Sequence, residues 1–178
     1  MMTRYHHLAT FAIAMTAAAV CAAPRVAHAQ TPVRFSVVGG LSLPIGDLGN
    51  GTDLGLNLGV RGEGRPLAPG WAFRGDVSYD RYDGRGAVDA YSYLAFGANL
   101  VHHEPNHGVY EFGGLGVYNS RVAFASSVDR SDTNLGVQMG AGFELTRDHR
   151  LFTEVGLTSA FTSGRNSLWF PVRVGFRF

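Results

Sequence analysis

The stretch Leu135-Gly-Val-Gln-Met-Gly-Ala-Gly-Phe-Glu-Leu145 decides how the chain is read. Leu135, Val137, Met139, Ala141 and Phe143 fall on one side of an extended backbone. Gly136, Gln138, Gly140, Gly142 and Glu144 fall on the other. A period of two marks a strand with unlike faces, because successive side chains point to opposite sides.

The same alternation recurs on both sides of this stretch. Downstream, Leu151, Val155 and Leu157 oppose Phe152, Glu154, Gly156 and Thr158. Phe170, Val172, Val174, Phe176 and Phe178 then oppose Trp169, Arg173, Gly175 and Arg177. Upstream, Phe35, Val37, Leu41 and Leu43 oppose Arg34, Ser36, Val38, Gly40 and Ser42. Leu54, Leu56, Leu58 and Val60 oppose Asp53, Gly55, Asn57, Gly59 and Arg61. Trp71, Phe73, Val77 and Tyr79 oppose Arg74, Asp76, Ser78 and Asp80. Two segments leave their phase open. In 90–101, Leu94, Phe96, Ala98 and Leu100 are read as outward, against Tyr93, Gly97 and Asn99. In 109–118, Tyr110, Phe112 and Tyr118 stand against Glu111 and Gly113.

Eight such segments, an even number, predict an eight-stranded antiparallel up-and-down transmembrane β-barrel. Spanning strands need ~9–11 residues each. The large apolar set is assigned to the outside and the small, polar set to the inside. A barrel of eight strands encloses only enough room for side chains to fill, so small residues suit it and large rings do not. Aromatic residues near the strand ends are read as two interfacial bands. One holds Trp71, Phe73, Tyr110, Phe112, Phe143, Phe176 and Phe178; the other holds Tyr79, Tyr82, Tyr91, Tyr93, Tyr118, Phe161 and Phe170. External loops are expected at 46–52, 83–89, 119–133 and 162–167.

The end of the chain, Phe170-Pro-Val-Arg-Val-Gly-Phe-Arg-Phe178, resembles the terminal strand of bacterial outer-membrane proteins. The segments 110–118 and 135–145 resemble strands of the small outer-membrane β-barrel superfamily, which includes the OmpA membrane domain and OmpX. The resemblance spans the mature chain as a pattern and comes close to a motif only in the last strand. It implies residence in outer-membrane lipid. It also implies recognition by the barrel-assembly machinery through Val172, Val174, Phe176 and Phe178.

Ahead of the strands lies an export signal: one charge at Arg4, an apolar run from Leu8 to Val20, and a small-residue site at Ala27-His28-Ala29. This is the three-part layout of a cleavable secretory signal, and the run is too short to span a bilayer. The expected organisation is a signal over 1–29 and a barrel over 30–178. All 24 glycines fall in the barrel segment, every basic residue is Arg, and the single Cys, Cys21, leaves with the signal. These counts exclude a disulfide scaffold and a thiol nucleophile in the mature chain. A net charge of +1 argues against nucleic acid as a partner.

Eleven charges are expected on the inner faces: Arg34, Arg61, Arg74, Arg173 and Arg177 with Asp53, Asp76, Asp80, Glu111, Glu144 and Glu154. Unpaired charge in a narrow lumen is costly, so a paired network is the expectation. The segment His103-Glu-Pro-Asn-His107 fits a zinc-protease pattern, but that chemistry needs both His on one helix face, and Pro105 and Asn106 favour a turn. Arg74-Gly-Asp76 spells an adhesion tripeptide, yet it falls mid-strand with both charges inward. No Ser is read beside a His and an acid, since His102, His103, His107 and His149 all fall at the end opposite the external loops.

The expectation is therefore a non-enzymatic outer-membrane protein without cofactor or metal, with a structural, adhesive or surface-interaction role. Its specificity would lie in the 119–133 loop through Arg121, Phe124, Asp129, Arg130 and Asp132, against an extracellular partner the sequence does not name. A narrow small-solute channel and a lipid-modifying enzyme are the competing readings.

Overall fold

Eight strands form one closed antiparallel barrel in chain order, the architecture expected from the alternation. They are β1 (Arg34–Ile45), β2 (Gly55–Gly64), β3 (Trp71–Asp83), β4 (Val88–His103), β5 (Val109–Phe124), β6 (Arg130–Glu144), β7 (Leu151–Thr162) and β8 (Arg165–Arg177). A short helix, α1 (Gly46–Gly51), fills part of the first loop. The structure is a computed structural model and describes residues 33–64, 68–86, 88–105, 107–124, 129–162 and 165–178. The expected signal over 1–29 lies outside the described residues, as do parts of the expected loops. Closure is made by β1 against β8, from Ser36↔Arg177 to Ile45↔Leu168.

Each strand turns its large aliphatic residues outward. Leu56, Leu58, Leu115 and Leu135 are each about two-thirds exposed, within a band that also holds Val60, Phe73, Phe96, Leu100, Met139 and Val174. An apolar surface of this extent does not face water in a soluble monomer. The fourth segment takes the expected phase, with Leu94, Phe96 and Leu100 outward and Tyr93 and Asn99 buried.

The interior departs from expectation. Tyr82, Tyr110, Phe112 and Tyr118, read as interfacial rings, lie inside the barrel with Tyr93, Phe152 and Trp169. Room for several of them comes from glycine on a neighbouring strand. In register, Tyr110 stands opposite Gly142, Phe112 opposite Gly140 and Phe152 opposite Gly175. A Cβ added at Gly142 would lie 2.2 Å from the Tyr110 ring, and one at Gly175 2.2 Å from the Phe152 ring. The interfacial rings that remain outside are Trp71, Phe73, Phe143, Phe176 and Phe178 near the end that carries Arg34 and Phe178, and Tyr79, Phe161 and Phe170 nearer the other.

The lumen is thus filled in three layers, all visible along β3, whose inward residues run Ala72, Arg74, Asp76, Ser78, Asp80, Tyr82. At the terminal end Val38, Ala72, Val101, Tyr110, Phe112 and Phe152 form one apolar cluster. At the loop end Leu48, Tyr82, Tyr93, Ala95, Tyr118, Ala160 and Trp169 form another. Leu48 comes from α1, so the first loop folds inward and caps its own barrel. Polar side chains occupy the space between.

Strand lengths also differ from expectation. β4 and β5 have 16 residues and β6 has 15. At ~3.3 Å per residue, 16 residues run ~53 Å, or ~40 Å along the axis of a barrel tilted by about 40°. That exceeds a hydrocarbon core of ~30 Å, so these strands project past it. Most of the expected 119–133 loop is therefore paired sheet, with Asn119↔Thr133 and Val122↔Arg130 in register.

Candidate functional site

The middle layer is a polar network built from opposite walls. Glu154 of β7 takes both β2 and β3 as partners: Arg61 Nη1 lies 2.6 Å and Arg74 Nη1 2.9 Å from its Oε1. The Tyr110 hydroxyl donates to the same oxygen at 2.8 Å. Arg173 Nε donates to Asn57 Oδ1 at 2.7 Å, and Asn57 Nδ2 donates to Asp80 Oδ1 at 2.8 Å. Asn99 Nδ2 and Gln138 Nε2 both donate to Asp76 Oδ1, at 2.5 and 3.1 Å. The network rests on the ring layers: the Arg74 guanidinium sits 4.1 Å above the Phe112 ring, and the Ser42 and Tyr82 hydroxyls are 2.6 Å apart. Charge in a low-dielectric interior persists only when paired and hydrogen-bonded, and that condition selects these partners.

Below this layer the barrel opens into a polar mouth of about 480 Å³, lined by Arg34, Glu63, His103, Glu144 and His149 among others. Arg177 Nη1 reaches Glu144 Oε1 at 2.9 Å, and His149 Nδ1 pairs with Glu144 Oε2. His149 adopts a left-handed backbone (φ 58), which fits the tight β6–β7 turn, and its carbonyl accepts from Arg177 Nη1 at 3.0 Å. In the same turn the Thr146 hydroxyl and the Arg150 amide hold the exposed Asp148 carboxyl below the usual carboxylate range.

Of the eleven expected lumen charges, Arg61, Arg74, Asp76, Asp80, Glu154 and Arg173 lie in the network and Arg34, Glu144 and Arg177 at the terminal mouth. Two lie elsewhere. Asp53 precedes β2, which begins at Gly55, so it escapes the strand's alternation; its carboxylate pairs with Arg85 at 2.5 Å in the exposed loop region. Glu111 points outward, because β5 turns Tyr110, Phe112 and Tyr118 into the space left by facing glycines. Its carboxylate lies 3.5 Å from His102 Nδ1 on the outer wall.

Strand-by-strand reading missed Glu63, whose Oε1 is 2.9 Å from His103 Nε2. It continues the inward series Asn57, Gly59, Arg61 by one step, and that phase was the available signal. The amides Asn57, Asn99 and Gln138 were also absent from the expected site, although Asn57 joins Arg173 to Asp80 and Asn99 and Gln138 both donate to Asp76.

At the loop end, Arg121 pairs with Asp129 (Nη2–Oδ2 2.5 Å) and Arg130 with Asp132 (3.6 Å), while Phe124 stands opposite Val88. Val172, Val174, Phe176 and Phe178 share the outward face of β8. The zinc-protease pattern falls on the end of β4 and the turn after it, with His103 turned in and His102 out; Asn106 lies outside the described residues. Arg74 and Asp76 of the adhesion tripeptide are both committed to lumen partners.

A family model described as "Outer membrane protein beta-barrel domain" matches residues 11–178. No curated protein sequence matches the chain. Among solved structures, the attachment invasion locus protein Ail of Yersinia pestis is similar with a TM-score of 0.57 at 17% identity, over 82% of this chain and 99% of that one. Neisserial surface protein A gives 0.53 at 17% identity, over 82% and 95%. The N-terminal barrel domain of Pseudomonas aeruginosa OprF gives 0.51 at 17% identity, over 84% and 98%. At such identities the likeness concerns the fold.

Proposed function

Since the chain belongs to the outer-membrane β-barrel domain family, we propose that it is a non-catalytic outer-membrane barrel with a structural, adhesive or surface-interaction role. The observation that carries this reading is the filled lumen. Two ring layers enclose a paired network, which leaves the chain's exposed chemistry to its wall and its two ends. The wall meets lipid, and the projecting β5–β6 hairpin, with Arg121, Phe124, Asp129, Arg130 and Asp132, is the surface offered to a partner.

In this reading residues 1–29 are the export signal, cleaved after Ala29, and the barrel-assembly machinery reads Val172, Val174, Phe176 and Phe178. The short turns face the periplasm and the β5–β6 end faces outward. One Ail structure is a complex with the heparin analogue sucrose octasulfate, which supports surface binding as a role open to this fold. In the present chain the rim arginines Arg85, Arg121 and Arg130 already hold aspartates, so a sulfated ligand would have to displace them.

Cell fractionation followed by gel migration with and without boiling tests the proposal. The expected result is a membrane-bound, heat-modifiable band; a soluble periplasmic protein would overturn it. Removing residues 122–132 should leave that band shift intact and abolish binding of intact cells to host surfaces. Unchanged binding would sink the adhesive role.

A further inference from the structure

The outer wall carries a groove of about 660 Å³. It exists because two small residues stand side by side among large ones. Gly113 of β5 and Ala141 of β6 both face outward. They are diagonal neighbours on the ladder, where Gly113 pairs with Met139 and Glu111 with Ala141. Leu100, Met139 and Leu157 border this floor. A Cβ built on Gly113 would have the Gln138 carbonyl oxygen as its nearest contact, at 4.0 Å, so the floor is open space and not packed wall.

One end of the groove is polar. Trp71, His102 and Glu111 form a row across three strands, with Trp71↔His102 and His102↔Glu111 in register. His102 Nδ1 lies 3.5 Å from Glu111 Oε1, and the Trp71 ring packs on the imidazole with centroids 4.9 Å apart. The Glu111 side chain is nevertheless 75% exposed. Trp71 opens β3 and His102 is next to last in β4, so the row stands at strand ends, where an aromatic band marks the passage from membrane to water. A charge on the lipid-facing wall costs little at that depth and more toward the bilayer midplane.

An apolar channel that ends on a charged row has the polarity of a phospholipid. An acyl chain covers the part that faces hydrocarbon, and the head group reaches the carboxylate. An ammonium complements Glu111 in charge and brings N–H donors to it. A head group with negative charge alone meets a like charge there.

We propose that the groove holds a phospholipid with an ammonium head group, its tail over Gly113 and Ala141 and its ammonium at Glu111. His102 and Trp71 hold the carboxylate in place. The proposal goes beyond the surface-interaction reading and holds whichever way the barrel points in the membrane.

The test uses the barrel refolded into vesicles of phosphatidylethanolamine and phosphatidylglycerol in equal amounts, with brominated acyl chains on one lipid or on the other. Membrane composition is then the same in both samples. The chain has two Trp residues, and Trp169 is 1% exposed inside the barrel, so contact quenching by bromine reports on Trp71 beside the groove. Brominated phosphatidylethanolamine should quench more, by an amount that corresponds to about two- to fivefold enrichment, the worth of an exposed ion pair. Glu111→Gln should bring the two lipids level, and Gly113→Leu, which fills the floor without touching a charge, should lower the preference. The heat-modifiable shift of both variants should match the parent, which shows that they fold. Equal quenching by the two lipids in the parent, or a preference that survives Glu111→Gln, would overturn the proposal. Weak quenching by both, together with a cross-linked dimer, would assign the groove to a second copy of the chain instead.

Discussion

At Glu154, one carboxylate oxygen serves two guanidinium groups and a phenol, and all of these groups are buried. Replacing it with Ala leaves Arg61 and Arg74 charged and without their partner. Breaking a buried pair from one side costs about 3–5 kcal/mol, well above the worth of the pair itself. Glu144→Ala should cost about 1 kcal/mol, because Glu144 stands at an open mouth where water replaces it beside Arg177. Urea unfolding of the barrel refolded into lipid vesicles checks both, and equal losses would refute the layered account of the lumen. The glycines divide in the same way. Gly175→Ala puts a methyl group 2.2 Å from the Phe152 ring, whereas Gly75→Ala meets nothing within 4 Å. The first should cost about 1–3 kcal/mol and the second should be near neutral. Combining Gly175→Ala with Phe152→Ala should cost less than the sum of the two, since the ring that clashes has gone. Fluorescence-detected unfolding of the four chains measures this.

Among elements, what could be read from sequence depended on whether the cause lay within a strand. Alternation is a local property, so β1, β3, β6 and β8 were legible with the right face out. In β5 both faces carry glycine, at Gly113, Gly114 and Gly116, and nothing local fixes the phase. The choice is made across the ladder, where Gly140 and Gly142 of β6 leave space for Phe112 and Tyr110. The error at Glu111 follows from that, and the error at Asp53 from counting alternation past a strand end. The lengths of β4 to β6 were hidden for a third reason: polar residues such as Thr133 and Asn134 continue the ladder beyond the lipid, where hydropathy no longer marks a strand. At the last strand, Phe178 is 69% exposed and its ring centroid lies 6.0 Å from that of Phe176. Deleting Phe178 should leave spontaneous refolding into vesicles within about 0.5 kcal/mol of the parent, as for other surface changes. The same deletion should markedly lower the outer-membrane amount of the protein in cells. Loss of both would assign Phe178 to stability instead of assembly.

For the molecule as a whole, the low charge content and the glycine excess have one origin. Five arginines (Arg34, Arg61, Arg74, Arg173, Arg177) face five carboxylates (Glu63, Asp76, Asp80, Glu144, Glu154) along the lumen and its terminal mouth. Glycines beside them admit the rings that shut both ends of the network. Ring layers on both sides of the paired network predict that no continuous aqueous path crosses the barrel. Planar-bilayer recordings should therefore show no unitary steps above background. The arrangement in series makes a stronger demand. Opening one ring layer, with Tyr82→Ala and Tyr93→Ala together, leaves Tyr110, Phe112 and Phe152 closed beneath an intact network. That variant should remain silent. Conductance should appear only when Tyr110→Ala and Phe152→Ala are added, since water must then enter from both ends to hydrate the paired charges. Steps from the parent chain would make it a channel, and steps from the first double variant would show that the terminal-end layer does not seal.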